Sequence, residues 1–391
     1  MPASLDALSE RWPHLSEIFH HHWDTPLPAY ARKLWDPPPA GTVDPLLTAA
    51  VHRESLRVTG SDAAAEAILR RRVAPTAHHV TPTNGPGFLA ADWIASAGSD
   101  EMVVVLAWSG VALSNTAWSG CLSFTGPVLR PGSPTARRAA QARADRQRDA
   151  GDTEERVWLF PARFRDALLY RRPTHPRLSD VLADLTPAVA ACLPDPAGAE
   201  DFPTWALRAC AAIQRAVLGR ALVYLDANRI VADYMLAALA QADHPMAALM
   251  ADPTARPWPR GSWLYARRKH KVVPLYPTEG GFSGRKVSVA SSAVAAGLAS
   301  GALCPGLLPS FVALACVNPL RCLGSFNQAH YLAGIRAAAG LPAEAGPTLI
   351  AGRATDTAGR EVYPLDLLAA GEQMRSPEAV RMGELWAQLL R

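Results

Sequence analysis

Seven consecutive residues, Met102-Val103-Val104-Val105-Leu106-Ala107-Trp108, constrain this chain more than any other stretch. Three successive valines are stiff at χ1 and suit an extended backbone better than a helix. The run is unbroken rather than alternating, which predicts a strand buried on both faces, as at the centre of an α/β sheet. It ends in Ser109-Gly110-Val111-Ala112-Leu113-Ser114-Asn115, small and partly polar. In open α/β sheets ligands bind beyond the carboxyl ends of the strands, so Ser109 and Asn115 are candidates for substrate contact. The context Ala107-Trp108-Ser109-Gly110 is not a GxSxG elbow and gives a serine hydrolase no support.

Around this strand the pattern is mostly helical. Leu5, Leu8, Trp12, Leu15 and Phe19 recur at helical spacing and predict one helix over residues 3–22, closed by Thr25-Pro26-Leu27-Pro28. Further helices are expected at 44–58, 61–72, 88–97, 288–300, 307–317, 325–340 and 376–391. A long helical stretch over 204–242 divides near Gly219. Residues 262–277 alternate around Arg268-Lys269-His270-Lys271 and predict a β-hairpin, and Val157 to Phe160 reads as a short strand. The expected fold is therefore helix-rich α/β or α+β with a small central mixed sheet. Residues 131–155 are rich in Arg, Ala and Asp. They read as an exposed excursion or lid between an N-terminal part, 1–130, and a helix-rich C-terminal part, 156–391.

Composition excludes more than it selects. The 391 residues are 49% hydrophobic and 19% charged, enough to build a large core and unlike a disordered chain. The 34 prolines favour many fixed loops over a repeat array or a simple bundle. Six cysteines include no CxxC pair, which speaks against a structural zinc site and a secreted disulfide framework. No run of about 18 uncharged apolar residues predicts a membrane span. Met1-Pro-Ala-Ser-Leu-Asp lacks the basic start of a secretory leader, so the cytoplasm is the expected address. GxGxxG, Walker and HExxH motifs are all absent.

Seven of the eleven histidines fall within the first 79 residues. His20-His21-His22 closes the first predicted helix, where the dipole alone favours imidazoles, and consecutive side chains diverge too far to share one ion easily. His78-His79 sits instead in the irregular stretch 73–87, beside Thr81 and Asn84 and before Gly85-Pro86-Gly87. Loops of this kind position reactive groups, and an imidazole serves as acid, base or metal ligand. His78 and His79 are the candidate catalytic pair, with Thr81 and Asn84 as substrate contacts.

Two later segments carry polar groups within apolar surroundings. Asp226, Arg229 and Asp233 are three and four residues apart, hence on one helical face. They form either a structural Asp–Arg–Asp bridge or a pair of carboxylates acting with the histidines or a metal, with Arg229 facing substrate. In Asn318–Tyr331, Arg321 is suited to hold a carboxylate, while Gln328, His330 and Tyr331 open the following helix and line the same turn.

Three functional readings compete. The first is an enzyme of small-molecule, even secondary, metabolism acting on a polar amino-acid-like or carboxylate substrate. It uses a histidine acid/base or a His/Asp site for zinc or iron, although no spacing demonstrates a metal. The second is an acyl- or aminoacyl-transferase whose donor is carried on tRNA or a carrier protein, docked on Arg137–Arg148 and Arg267–Lys271. The third is a non-catalytic binding protein. A membrane partner is not expected. Convergence of His79, Asp226, Arg321 and His330 on one pocket is the observation that favours the first.

Overall fold

The computed structural model describes residues 3–36, 39–80, 85–109, 121–124, 155–158, 187–194, 202–259, 261–268, 271–324, 326–341 and 350–390. The predicted first helix is two, α1 (Ala3–Arg11) and α2 (Ser16–His22), joined by a 3-10 turn at Pro13–Leu15. Pro13 lacks the N–H that a continuous helix needs, which explains the break. There follow α3 (Leu27–Trp35), α4 (Pro45–Thr59), α5 (Ala63–Arg71), β1 (Val73–Pro75), α6 (Pro86–Ala97) and β2 (Val103–Ala107). Asp44 caps α4 by accepting from the Leu46 amide at 2.8 Å.

Next come β3 (Cys121–Phe124), β4 (Glu155–Trp158), α7 (Pro187–Cys192), α8 (Phe202–Leu218), β5 (Leu222–Asp226), α9 (Ala227–Leu239) and α10 (Pro245–Ala251). The long helical stretch expected over 204–242 is thus helix, strand, helix. Gly219, at φ +62, ends α8, and the short run Leu222-Val223-Tyr224-Leu225 is extended between two longer helical patterns that mask it.

The remaining strands are β6 (Leu264–Arg268), β7 (Lys271–Thr278), β8 (Gly281–Gly284), β9 (Val287–Ala290), β10 (Leu303–Pro305) and β11 (Arg321–Leu323). Between them lie α11 (Val294–Ala299) and α12 (Leu307–Phe311), which runs into a π-helical turn at Val312–Val317. α13 (Phe326–Ala338), α14 (Pro364–Ala370) and α15 (Met382–Ala387) complete the chain. The 262–277 hairpin is present as β6–β7, with Arg268 opposite Lys271.

The fold is helix-rich and mixes α and β, as expected, but its strands are not gathered into one small central sheet. The largest sheet is antiparallel, in the order β10-β6-β7-β8-β9. Two parallel pairs, β1–β11 and β2–β5, build a second layer. They are stitched by a parallel bridge between His79 and Trp108, in which the Trp108 amide donates to the His78 carbonyl at 2.9 Å and the Val80 amide to the Trp108 carbonyl at 3.2 Å.

All five residues of β2 are buried, as the valine run predicts. Each of its Val and Leu side chains contributes roughly 1.5–3 kcal/mol relative to exposure. One hydrophobic cluster runs from Leu5 in α1 to Trp386 in α15. Apart from Glu155, the excursion expected at 131–155 lies outside the described residues. No helix among the described residues is long and apolar enough to cross a membrane.

Candidate functional site

Residues 76–80 leave β1 in extended form and bridge to the exit of β2. Side chains alternate along an extended segment, so the two histidines diverge. His78 is fully buried, its ring against Phe88 and edge-on to Tyr224. Its Nε2–H donates to the Phe88 carbonyl at 3.3 Å, with Asp92 Oδ1 of α6 at 3.1 Å. The Tyr224 hydroxyl donates to the other oxygen of Asp92. His78 therefore belongs to an interior network, in which its own Nδ1 and Asp92 Oδ1 have no hydrogen-bond partner.

His79 points elsewhere. Its ring lines a cavity of about 150 Å³ together with Trp108, Asn228, Tyr265, Gln328 and Tyr331. Its Nδ1 is shielded from solvent and has no hydrogen-bond partner. Burial, and to a smaller extent neighbouring His78, hold the imidazole down to about 4, so it is an uncharged base at neutral pH.

The rest of the wall follows from local structure. Asp226 ends β5 and caps α9, its Oδ1 accepting from the Asn228 amide at 3.0 Å and the Arg229 amide at 3.4 Å. That cap sets Asn228 on the first turn, where its Nδ2 donates to the Pro305 carbonyl at 2.9 Å and ties α9 to β10. Gln328, on the first turn of α13, is buried and donates to Thr76 Oγ1 at 2.6 Å. Its amide lies over Gly324, where a Cβ would come within 2.0 Å of Oε1. Trp108 Nε1 donates to the Thr76 carbonyl at 2.6 Å, and its ring meets Phe311, which meets Tyr331, each at 5.3 Å between centroids. Burial pushes the Tyr331 hydroxyl up, so it remains a neutral donor.

A buried acidic group stands behind this wall. Ser109 Oγ donates to Asp226 Oδ1 at 2.8 Å, and the Asp226 amide donates to Glu54 Oε1 at 3.0 Å. Glu54 is also paired with Arg57 at 2.6 Å. Burial pushes the Glu54 carboxyl up to about 7 against the pull of Arg57, and raises the carboxyl of Asp226 against that of Arg229.

Several expected residues take other places. Asp226 is a strand end rather than a helix-face residue, and Arg229 lies 3.7 Å from it. Asp233 is exposed and pairs with Arg53 of α4 at 3.1 Å, so no Asp–Arg–Asp bridge forms. Arg321 sits on β11 and donates to the Lys33 carbonyl at 3.5 Å. His330 is exposed, its ring 5.0 Å from that of His14. Of the four residues expected to converge, His79 alone lines the cavity, which brings Gln328 and Tyr331 to it from the same expectations. Thr81, Asn84 and Asn115 lie outside the described residues.

The helix end at His20-His21-His22 is a structural one: His22 is buried edge-on to Tyr30 and held down to about 4 by burial. Among the described residues no group of three His, Cys, Asp or Glu is arranged to hold a metal ion. Asn228 and Tyr265 were not foreseen; the cap motif Asp226-Ala227-Asn228 was the available signal for the first. No family model matches the chain, and no curated protein matches it either.

Proposed function

We propose that the chain is an enzyme acting on a small molecule, with the His79 imidazole as its acid/base group. The observation that supports this is a half-buried imidazole, its pKa lowered by burial, in the wall of a cavity at the carboxyl end of a parallel strand pair. Every other polar side chain named above in that wall, Tyr331 apart, is engaged by the protein itself, Tyr265 through Ser262. The expected grip of Arg321 on a carboxylate has no support in this geometry, and neither has a pair of acidic residues at substrate.

The test is conversion of small uncharged metabolites in deuterated water, followed by mass spectrometry. General acid–base catalysis is worth roughly 10²–10⁴-fold. His79→Gln is expected to slow conversion by about that factor while melting like the wild type. Equal conversion by both proteins would remove His79 from the chemistry, and conversion by neither would leave a binding protein.

One observation favours the transferase as a second reading. Tyr265 of the cavity wall lies on β6, whose end carries Arg267 and Arg268 opposite Lys271. Arg267 is two residues along that strand from Tyr265, about 7 Å, so one cation of the basic run lies close to the cavity. A tRNA or carrier-bound donor docked there would make turnover fall steeply with added salt. Turnover unchanged in a protein with Arg267, Arg268 and Lys269 neutralised would remove this reading.

A further inference from the structure

The cavity's own chemistry narrows what fits it, an argument that rests on reading it as the functional site. Three observations converge. The first is size: about 150 Å³ matches a cavity that holds a single benzene-sized ring. The second is charge. None of the described residues in the wall carries a charged side chain at neutral pH: His79 is unprotonated and Tyr265 and Tyr331 are neutral. Asp226 and Glu54, behind Asn228, are each accompanied by an arginine, Arg229 and Arg57. The wall itself offers an anion no counter-ion, and an unpaired buried charge is strongly disfavoured.

The third observation is how the wall's polar groups are used. Thr76, Trp108, Asn228 and Gln328 are tied to carbonyls or to one another. The His79 ring and the Tyr331 hydroxyl make no hydrogen bond to any described residue; His79 Nδ1 is sealed from solvent, which leaves Nε2 as the ring atom open to the cavity. The cavity thus presents an acceptor-capable imidazole and a neutral O–H donor beside the Trp108 indole, which packs on Phe311. Aromatic walls reward a flat occupant through offset or edge contacts.

We infer that the cavity binds an uncharged, planar five- or six-membered ring that carries one acidic N–H or O–H and one acceptor. Azoles and phenols are the simplest members of the class. The ring's N–H or O–H is donated to His79, and the Tyr331 hydroxyl is donated to the ring's acceptor atom.

The experiment measures binding to the full chain by ligand-observed NMR, with pyrazole, phenol, cyclohexanol, acetate and methylammonium as probes. Affinities for fragments of this size lie at roughly millimolar, so each probe is titrated to about 20 mM. Pyrazole and phenol are expected to bind at least about ten-fold more tightly than the other three, the factor of one well-placed hydrogen bond. His79→Leu is expected to lose at least that factor, and Tyr331→Phe to weaken pyrazole and phenol together. A thermal melt of each variant shows whether it is folded. Tyr331→Phe removes a single oxygen, and so tests the idea even if His79→Leu does not fold.

Acetate or methylammonium binding as well as phenol would overturn the inference, as would absence of binding by every probe. The outcomes separate this inference from the proposed enzyme. Probe binding without any catalysed conversion removes the enzyme and keeps the ring class. Conversion of a charged or aliphatic substrate that depends on His79 does the reverse.

Discussion

His78 Nε2 and Asp92 Oδ1 lie 3.1 Å apart with both side chains fully shielded from water, whereas the neighbouring His79 lines a cavity. One step along the backbone separates an interior histidine from a cavity histidine. The pair His78-His79 is therefore two residues with two roles.

Removing the carboxylate should affect stability alone. Asp92→Ala removes the carboxylate beside the His78 N–H, which keeps its bond to the Phe88 carbonyl, and leaves the Tyr224 hydroxyl without an acceptor in the interior. Stranding a buried hydroxyl of this kind costs about 1–3 kcal/mol. Urea denaturation should show that loss, while the affinity of the cavity for phenol changes less than about two-fold, the usual result for sites without shared partners. A loss under about 1 kcal/mol would show that the network does not hold α6 to β5.

Gly306 gives a steric prediction. It sits between β10 and α12, and its amide donates to the Trp263 carbonyl at 2.7 Å. Its φ of −84° is open to any residue, so strain of the backbone is not the issue. A Cβ there would come within 2.4 Å of the Ser262 carbonyl oxygen, which is backbone and cannot swing aside. Gly306→Ala is expected to destabilise by about 1–3 kcal/mol through overpacking and to distort the cavity that Gly306 lines. A variant with wild-type melting temperature and phenol affinity would contradict the packing described.

What the sequence reveals of this molecule follows the strength of each local signal. The valine run of β2 was legible because three β-branched residues in a row admit little else, and the β6–β7 hairpin because alternation and a charged tip coincide. β1 and β11 were not, because three-residue strands such as Val73-Ala74-Pro75 carry no period, and their pairing across some 250 residues is set by tertiary contact. β5 was hidden between two helical patterns, which turned the strand-end cap Asp226 into a supposed helix-face carboxylate. His79 was found from its loop. Its separation from His78 depended on an extended backbone that no residue pattern announced. Arg321 and His330 were plausible by type and by turn, yet pack elsewhere, against Lys33 and His14.

Glu54 should make part of the stability depend on pH in the direction opposite to most carboxylates. Its ordinary value is 4.5 and burial in the fold raises it to about 7. Between those values the folded state holds a proton that the unfolded state has released. The contribution is fully present below pH 4.5 and is lost as pH rises through 7. Glu54→Gln keeps an acceptor for the Asp226 amide without the ionisation. Wild type minus variant stability should therefore fall by up to about 3 kcal/mol between pH 4.5 and pH 8. A difference that is flat over this range would mean that Arg57 keeps Glu54 charged throughout.

The last prediction concerns His79 and runs the other way. The folded ring takes up its proton only near pH 4, whereas the unfolded ring does so at 6.5. Here the unfolded state binds more protons in the interval, so the contribution is fully present above 6.5 and is lost as pH falls through 4. His79→Leu removes it and leaves His22, which is held down to about 4 as well, and Glu54 in both proteins. Their effects cancel when the two melting curves are subtracted. The wild type should lose stability relative to His79→Leu by roughly 1–3 kcal/mol between pH 7 and pH 4.5. The same depression has a functional side. An imidazole that stays unprotonated down to pH 4 gives a catalysed rate or a phenol affinity with no acid limb from this group between pH 5 and pH 8. An acid limb near 6.5 that disappears in His79→Leu would mean that the ring is in contact with water and is not the desolvated base of the cavity.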